Sequence, residues 1–212
     1  MIRERIEPIW RDMAAIVAAT GPSLTKDVAG RCQRAHEAGT HAVIAVNDAW
    51  RLMPFAQLLY ASDAAWWRVH DGCPGFAGEK WSSHHAPGND KLAAAERHGL
   101  NLVRGRAGKG FSFDPERIHY GSNSTFQAVN LAILMGVKRI VLVGVNMQAL
   151  DGRSHFFGDH PPGLRSCSSY RNFIGAFEAA AAILPDDIEI LNATPASALR
   201  CFPGIDLDRA LQ

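Results

Sequence analysis

The sequence predicts an α/β fold: a three-layer, Rossmann-like arrangement with helices on both faces of a mainly parallel central sheet. Three runs are apolar on consecutive rather than alternate residues, as expected of strands covered on both faces. They are 14–19 (AAIVAA), 41–46 (HAVIAV) and 140–146 (IVLVGVN). Helical patterns lie between these runs, as in parallel βαβ units. In open α/β sheets, ligands collect beyond the carboxyl ends of the strands, so the fold also predicts where a site lies.

Length and composition favour one domain over residues 1–212, with a loop excursion near 71–90, where Gly, Pro, His and Ser predominate. The net charge is +1 with 20% charged residues, so no nucleic-acid partner is expected. No apolar run approaches roughly 20 residues, so no membrane span is predicted. An oligomer is compatible with the sequence. We expect a cytoplasmic protein with reduced thiols because the cysteines form no CxxC pair; they are Cys32, Cys73, Cys167 and Cys201.

The first strand, 14–19, follows a short amphipathic lead-in at 4–12 and ends in a glycine turn, Thr20-Gly21-Pro22-Ser23, before a helix at 26–38. A strand, a glycine turn and a helix can together hold a phosphate, through backbone N–H groups and the positive end of the helix. The other interpretation is a tight turn in which Ser23 or Thr25 caps the helix. A single glycine turn does not decide between the two.

Polar residues also follow the next two strands. Strand 41–46 ends at Asn47, and a strand at 58–62 ends at Asp63. Because the carboxyl ends of parallel strands meet at one edge of the sheet, we expect Asn47 to contact a ligand there. Asn47 can instead be a turn residue that bonds its own backbone. The coincidence of several polar strand ends favours a shared polar rim.

The middle of the chain gives weaker signals. Trp66, Trp67 and Trp81 are expected to pack in the core. The pair at 84–85 consists of histidines, which we interpret as solvated, because no carboxylate or thiol completes a metal site. A fourth, edge-like strand is predicted at 100–103. The basic, glycine-rich stretch 104–110 that follows is either a mobile loop beside a phosphate or an ordinary solvated loop.

The central helix is predicted to begin at Ser124 and to end near Gly136, with one apolar face. It leads into strand 140–146, so Gly144 and Asn146 are expected to contact a ligand beyond the strand. A helix at 169–184 and a strand at 188–191 close the fold. The strand ends at Asn192, which is a further polar strand end and is expected at the same rim.

The loop after Asn146 carries the candidate catalytic residues, His155 and His160. A histidine beyond a central parallel strand can accept or donate a proton near neutral pH. These histidines and Asp159 could instead hold a metal, although no regular element fixes their spacing. A surface loop rich in Gly and Pro is the remaining interpretation.

The motifs and their order resemble the bacterial sialyltransferases that use a cytidine monophosphate donor. The chain is also similar to a related group that includes 6-hydroxymethylpterin pyrophosphokinases and flagellin-modification proteins. The resemblance implies a Rossmann-like nucleotide-binding domain. It rests on 21–24 (GPSL), Asn47, the Ser124 helix with strand 140–146, Asn192 and 197–199 (SAL).

The resemblance implies nucleotide contacts for Gly21-Pro22-Ser23, Asn47 and Ser124. Four features of the family's catalytic site differ in this chain. The family's Gly-Asn turn is Ala19-Thr20 here, and its aspartate after the central strand is Asn146. The family's histidine base falls where this chain reads 166–169 (SCSS), and its tyrosines fall near Gln148 and His155. His155 or His160 is the candidate to take over proton transfer.

We therefore expect a nucleotide-binding protein that acts as a transferase on a nucleotide-sugar. The nucleotide is its ligand and no further cofactor is implied. One alternative is a non-catalytic nucleotide-binding or assembly module. Another is an ATP-dependent, pyrophosphokinase-like enzyme, which would need Mg²⁺ and carboxylates near the phosphates, with Asp63, Asp151 and Asp159 as candidates.

Overall fold

The computed structural model describes residues 1–84, 89–164 and 169–212. The strands are β1 (Ile2–Arg3), β2 (Ala14–Ala18), β3 (His41–Val46), β4 (Leu58–Tyr60), β5 (Glu79–His84), β6 (Asn101–Arg106), β7 (Arg117–His119), β8 (Arg139–Val143) and β9 (Glu189–Asn192). The helices are α1 (Lys26–Glu37), α2 (Ala64–Val69), α3 (Asn89–His98), α4 (Ser124–Leu134), α5 (Tyr170–Ala181) and α6 (Leu207–Ala210). A 3-10 helix (Asn47–Arg51) follows β3 directly.

The nine strands form one parallel sheet in the order β1-β6-β5-β4-β3-β2-β8-β9, and β7 also pairs with β6. From β2 the chain builds outward through β3, β4, β5 and β6 on one side. It then returns to place β8 on the other side of β2. The strand order therefore reverses between β2 and β8, where open α/β sheets form a ligand crevice. The predicted α/β class is confirmed.

Two buried cores lie on opposite faces of the sheet because successive side chains of a strand point to opposite faces. In β2, Ala15 and Val17 belong to one core and Ile16 and Ala18 to the other. Helices α4 and α5 cover the first face, while α1, α2, α3 and α6 cover the second. The structure thus has the three predicted layers.

Helix α4 is buried along all 11 of its residues, whereas its spacing predicted a single apolar face. It packs against β2, β3, β7 and α5. Its polar side chains find partners, as buried polar groups require. Asn130 accepts from the amides of Ser112 and His119 at 2.9 Å each and donates to the Ser112 carbonyl at 2.8 Å.

The segment predicted as a loop excursion, 71–90, contains strand β5, which lies between β4 and β6. Ser82 and Ser83 hide the apolar pattern of this strand, yet both are buried. The prediction of a loop here is wrong for β5. His85, the second histidine of the predicted pair, lies outside the described residues.

The strand predicted at an edge, 100–103, is β6, which extends to Arg106. It pairs with β5 on one side and with β1 and β7 on the other, so it is interior. The segment around Trp66 and Trp67 forms α2. Both indoles and that of Trp81 are buried, as predicted.

Across the described ranges, every helix is too short or too polar to reach from one side of a bilayer to the other. Three cysteines in these ranges, Cys32, Cys73 and Cys201, are free thiols, and Cys167 lies outside them. Burial raises the pKa of Cys32 to about 12, so this thiol stays protonated and unreactive at neutral pH.

Candidate functional site

A cavity of about 710 Å³ opens beyond the carboxyl ends of the strands, at the point where the strand order reverses. Its floor comes from the segments after β2 and β8, and its walls from the segments after β3 and β4, the start of α4 and the 154–160 loop. The lining residues are Ala19, Thr20, Gly21, Asn47, Ser62, Asp63, Lys91, Tyr120, Ser122, Asn123, Ser124, Thr125, Gln127, Gly144, Val145, Asn146, Met147, Gln148, Ser154, His155, His160, Tyr170 and Phe173.

Eight of the eleven residues predicted for the site line this cavity. They are Thr20, Gly21, Asn47, Ser124, Gly144, Asn146, His155 and His160. Pro22, Ser23 and Asn192 do not line it. The structure therefore brings together residues from five separate stretches of the chain, while three predicted residues are not part of the lining.

Asn146 explains why Ser23 is not on the cavity. Its side-chain oxygen accepts from the Ser23 amide at 3.1 Å and from the Ser23 hydroxyl at 2.7 Å. Its amide group donates to the Pro195 carbonyl at 3.0 Å. With Asn146 only 1% exposed, these bonds tie the glycine turn to the segment after β9. The Ser23 amide and hydroxyl, which were predicted to contact a phosphate, thus donate to an internal acceptor in this structure.

The glycine turn is closely packed as well. The Gly21 amide donates to the Gly144 carbonyl at 2.8 Å. A Cβ added at Gly21 would lie 2.3 Å from the Asn146 side-chain oxygen and 2.4 Å from the Gly144 carbonyl oxygen. Glycine is required here because the two backbone segments approach so closely.

Replacing Asn146 by Ala is expected to reduce the free energy of unfolding by about 2–4 kcal/mol, because buried partners in Ser23 and Pro195 lose their hydrogen bonds. Urea denaturation followed by circular dichroism measures this loss. Gln148→Ala serves as the control, because its bond to the Ala196 carbonyl is exposed. An Asn146→Ala midpoint equal to that of the control would contradict the assignment.

The opposite wall joins β4 to α4 through two hydroxyl groups. Ser62 and Ser124 Oγ atoms are 2.8 Å apart, and the Ser62 amide donates to Ser124 Oγ at 3.1 Å. Asn123 caps α4, its side chain accepting from the Phe126 amide at 2.8 Å. Asn47 lies nearby in a left-handed conformation with φ +48°, which asparagine tolerates. Because the first residues of α4 line the cavity, the positive end of this buried helix faces it.

Behind this wall, a buried network fixes the start of α4. The Tyr60 hydroxyl donates to the Gln127 side-chain oxygen at 2.7 Å, and Gln127 donates to the Tyr120 carbonyl at 3.0 Å. Burial raises the pKa of Tyr60 well above its ordinary value, so its hydroxyl remains a donor. Buried side chains whose hydrogen bonds are satisfied therefore fix this wall of the cavity.

The two predicted histidines lie together on the 154–160 loop, with ring centroids 4.5 Å apart. His155 Nδ1 is 3.0 Å from the Thr20 hydroxyl, and the Phe156 amide donates to the Thr20 carbonyl at 3.0 Å. These bonds attach the loop to the end of β2. Within the described residues, His155 Nε2 and His160 Nδ1 are buried atoms without a hydrogen-bond partner.

Burial lowers the pKa of His155 below its ordinary 6.5, and the neighbouring His160 lowers it further. The buried carboxylate of Asp48 acts in the opposite direction. The imidazole is consequently neutral at pH 7, so one ring nitrogen has a lone pair that can accept a proton.

Lys91, from the start of α3, brings an ammonium group to the cavity. Its Nζ donates to the Ser83 carbonyl at 2.8 Å and to the Ser83 hydroxyl at 3.2 Å. Burial lowers the pKa of Lys91 to about 8, while the charge of Asp63 counteracts this. Lys91 is therefore mostly protonated at pH 7 and is a cation for an anionic ligand.

Asn192 has a structural role behind the cavity. It is 4% exposed, donates to the Leu199 carbonyl at 3.0 Å and accepts from the Thr194 amide at 3.2 Å. The Thr194 hydroxyl in turn accepts from the Val145 amide at 3.0 Å. Asn192 therefore shapes the turn that supports the strand end at Gly144 and Asn146.

In the chain segments that the structure describes, no three His, Cys, Asp or Glu side chains are grouped so as to hold a metal ion. The metal interpretation of His155, Asp159 and His160 finds no support in this geometry. Of the carboxylates considered for Mg²⁺, Asp63 lines the cavity, whereas Asp151 and Asp159 do not.

Sequence reasoning missed Lys91, Tyr120 and Tyr170, all of which line the cavity. Lys91 lies on a helix, and Tyr120 follows a short strand, neither of which the apolar pattern reveals. Tyr170 opens α5, where the sequence gives no local signal of a ligand contact. Asn123 carried a recognisable signal, because an asparagine before a helix is a favoured cap.

No protein-family model and no curated protein sequence matches the chain. The solved structure of the MAf glycosyltransferase from Magnetospirillum magneticum AMB-1 is similar to it, with a TM-score of 0.64 and 13% sequence identity. The match covers 95% of this chain and 35% of that protein, so this chain spans about a third of that protein's length. At this identity, the likeness establishes a shared α/β fold.

Proposed function

We propose that the chain binds a nucleotide-sugar in the cavity between β2 and β8 and transfers the sugar to an acceptor hydroxyl. The observation that carries the proposal is the convergence of Thr20, Asn47, Ser124 and His155 on one cavity of about 710 Å³. This volume is within the roughly 300–1,000 Å³ of small-molecule sites. The fold shared with a glycosyltransferase supports it.

The start of α4 is the better candidate for the phosphate than the glycine turn. Ser23 is bonded to Asn146, and the Thr25 side chain caps α1 by accepting from Val28. By contrast, Asn123, Ser124 and Thr125 line the cavity at the positive end of α4. Lys91 adds a cation to the same cavity.

His155 is the candidate base for the acceptor hydroxyl. In the tautomer whose Nδ1 carries the hydrogen, Nδ1–H donates a hydrogen bond to Thr20 Oγ1. The lone pair is then on Nε2, which has no hydrogen-bond partner among the described residues. Nε2 then takes the hydroxyl proton as the oxygen attacks the sugar carbon. The nucleotide phosphate departs with the electron pair of the bond that breaks.

Calorimetric titration with CMP, CDP, UDP and ATP, each with and without Mg²⁺, tests the binding step. We expect at least one nucleotide to bind in the micromolar range without metal, at about −8 kcal/mol. An absence of binding at millimolar concentration for all four would contradict the proposal. Affinity confined to ATP with Mg²⁺ would favour the pyrophosphokinase alternative, for which Asp63 is the carboxylate on the cavity.

A non-catalytic role is the second candidate, because the cavity lacks the aspartate of the resembled family and Asn146 is bound internally. Binding without transfer from any of a panel of nucleotide-sugars to hydroxyl acceptors would favour it. Hydrolysis or transfer that His155→Gln abolishes would exclude it.

Replacing Lys91 by Met is expected to weaken binding of the nucleotide found in that screen by roughly tenfold or more, because a charged hydrogen bond is worth about 1.5–3 kcal/mol. In the unaltered protein, affinity should fall as pH rises through about 8, where Lys91 loses its proton. Calorimetry between pH 6.5 and 9 measures both effects. Lys26→Met, an exposed lysine on α1, is the control; equal losses in the two variants would remove Lys91 from the site.

A further inference from the structure

Asp48 is a buried carboxylate that the proposed reaction does not use. It lies in the 3-10 helix after β3, next to Asn47, and is 1% exposed. Its Oδ2 accepts from the Trp66 indole at 2.8 Å. Among the described residues, its Oδ1 has no hydrogen-bond partner. A buried charge with an unmet acceptor is costly, so such a group requires a compensating reason.

Charged and titratable groups surround this carboxylate. Oδ1 lies 3.6 Å from His70 Nε2 and 3.7 Å from an Arg51 nitrogen. Burial, and to a smaller extent the Asp48 charge, raises the pKa of the Cys73 thiol to about 12, so that thiol stays neutral in the range where histidines titrate. Arg51 is half exposed, so its cation only partly neutralises the buried charge.

Ring contacts connect this group to the candidate base. The Arg51 guanidinium lies over the Phe157 ring, 5.6 Å from its centroid. The Phe157 and His155 rings are parallel within 2°, with centroids 5.0 Å apart. His160 packs against both rings, 4.5 Å from His155 and 5.4 Å from Phe157. The loop that carries His155 therefore packs against Arg51, which lies beside Asp48.

We propose that Asp48 is a positioning residue for His155, whose buried negative charge orders the Arg51–Phe157–His155 stack and stabilises the imidazolium that forms when His155 accepts a proton. The inference rests on the proposed role of His155 as a base. It differs from a direct carboxylate–imidazole hydrogen bond, because Thr20 occupies His155 Nδ1 and Asp48 acts through the stack and through space. In a buried environment such a charge is weakly screened.

Asp48→Asn tests the charge while keeping the shape and the acceptor oxygen for Trp66. Histidine ring signals followed by NMR between about pH 5 and 8 report the titration without any substrate, with His155 and His70 assigned from their Gln variants. Loss of the charge is expected to move the His155 midpoint to lower pH, because Asp48 raises the pKa of His155. The His70 midpoint should move in the same direction.

Asp159→Asn is the matched control, because Asp159 also raises the pKa of His155 but is exposed on the loop. Solvent screens its charge, so its effect on His155 should be smaller. A His155 midpoint in Asp48→Asn that equals that of the unaltered protein, or that moves no further than in Asp159→Asn, would overturn the proposal. This readout is independent of transfer activity, so a failure here is distinct from a failure of the proposed function.

Arg51→Gln gives a second, opposite arm if Asp48→Asn does not fold. Removing the cation leaves the Asp48 charge less neutralised, so the midpoints of His70 and His155 are expected to rise. Arg51 itself lowers the pKa of His70, so a rise at His70 is expected in either case, and the His155 midpoint is the one that tests Asp48. An unchanged or lowered His155 midpoint in Arg51→Gln would count against the proposal.

Discussion

His155→Gln is expected to reduce the transfer rate by roughly a hundred- to ten-thousandfold, the range of general acid–base catalysis. Nucleotide affinity should change little, because His155 acts on the acceptor proton. Since the pKa of His155 lies below 6.5, activity of the unaltered protein should persist below that pH and fall only as the imidazole gains its proton. Initial rates and calorimetry on the same preparations, with a pH series for the unaltered protein, measure these effects.

His84→Gln is the control for this substitution, because His84 is on β5 and does not line the cavity. His160→Gln is expected to leave a larger residual activity, because His160 lowers the pKa of its neighbour rather than bonding to Thr20. If His155→Gln retained full turnover, the catalytic assignment would be wrong while the binding assignment would stand.

Gly144→Ala is expected to lower the free energy of unfolding by about 2–5 kcal/mol, from backbone strain and overpacking together. Gly144 has φ +67°, and an added Cβ would lie 2.5 Å from the Ala19 carbonyl oxygen and 3.0 Å from Leu24 Cβ. The strand end after β8 would have to move away from β2, which would also distort the cavity floor. Guanidinium denaturation measures the loss of stability, and nucleotide titration measures the change at the cavity.

Gly175→Ala is the matched control. Gly175 lies within α5, and nothing is within 4 Å of a Cβ added there. Alanine in a helix interior should stabilise the protein by about 0.5–1 kcal/mol relative to glycine. Equal effects of the two substitutions would mean that the close contact between β2 and β8 is not required.

Much of the fold could be predicted from local pattern. β2, β3 and β8 are apolar on consecutive residues because both faces of the sheet are covered, and this pattern was sufficient to find them. β5 was missed because its buried centre includes Ser82 and Ser83, whose polarity conceals burial. α3 was not predicted, although Leu92 and the alanines at 93–95 favour a helix.

The position of the cavity could also be predicted in part, because the strand pattern shows where the strands end. Thr20, Asn47 and Asn146 follow buried strands directly, so topology alone brings them to one edge. Which of them faces a ligand depends on tertiary bonds that no local pattern encodes. Asn146 binding Ser23 across 123 residues of sequence is the clearest case.

The pairing of β2 with β8 also bears on how the protein folds. Ala15 is paired in register with Ile140, so the two strands whose ends form the cavity floor are separated by most of the chain. Closing so long a loop is entropically costly, and sheets built from such distant partners form slowly. A nascent chain that has not yet emerged through β8 therefore lacks the cavity, and binding of the proposed nucleotide would stabilise only the completed sheet.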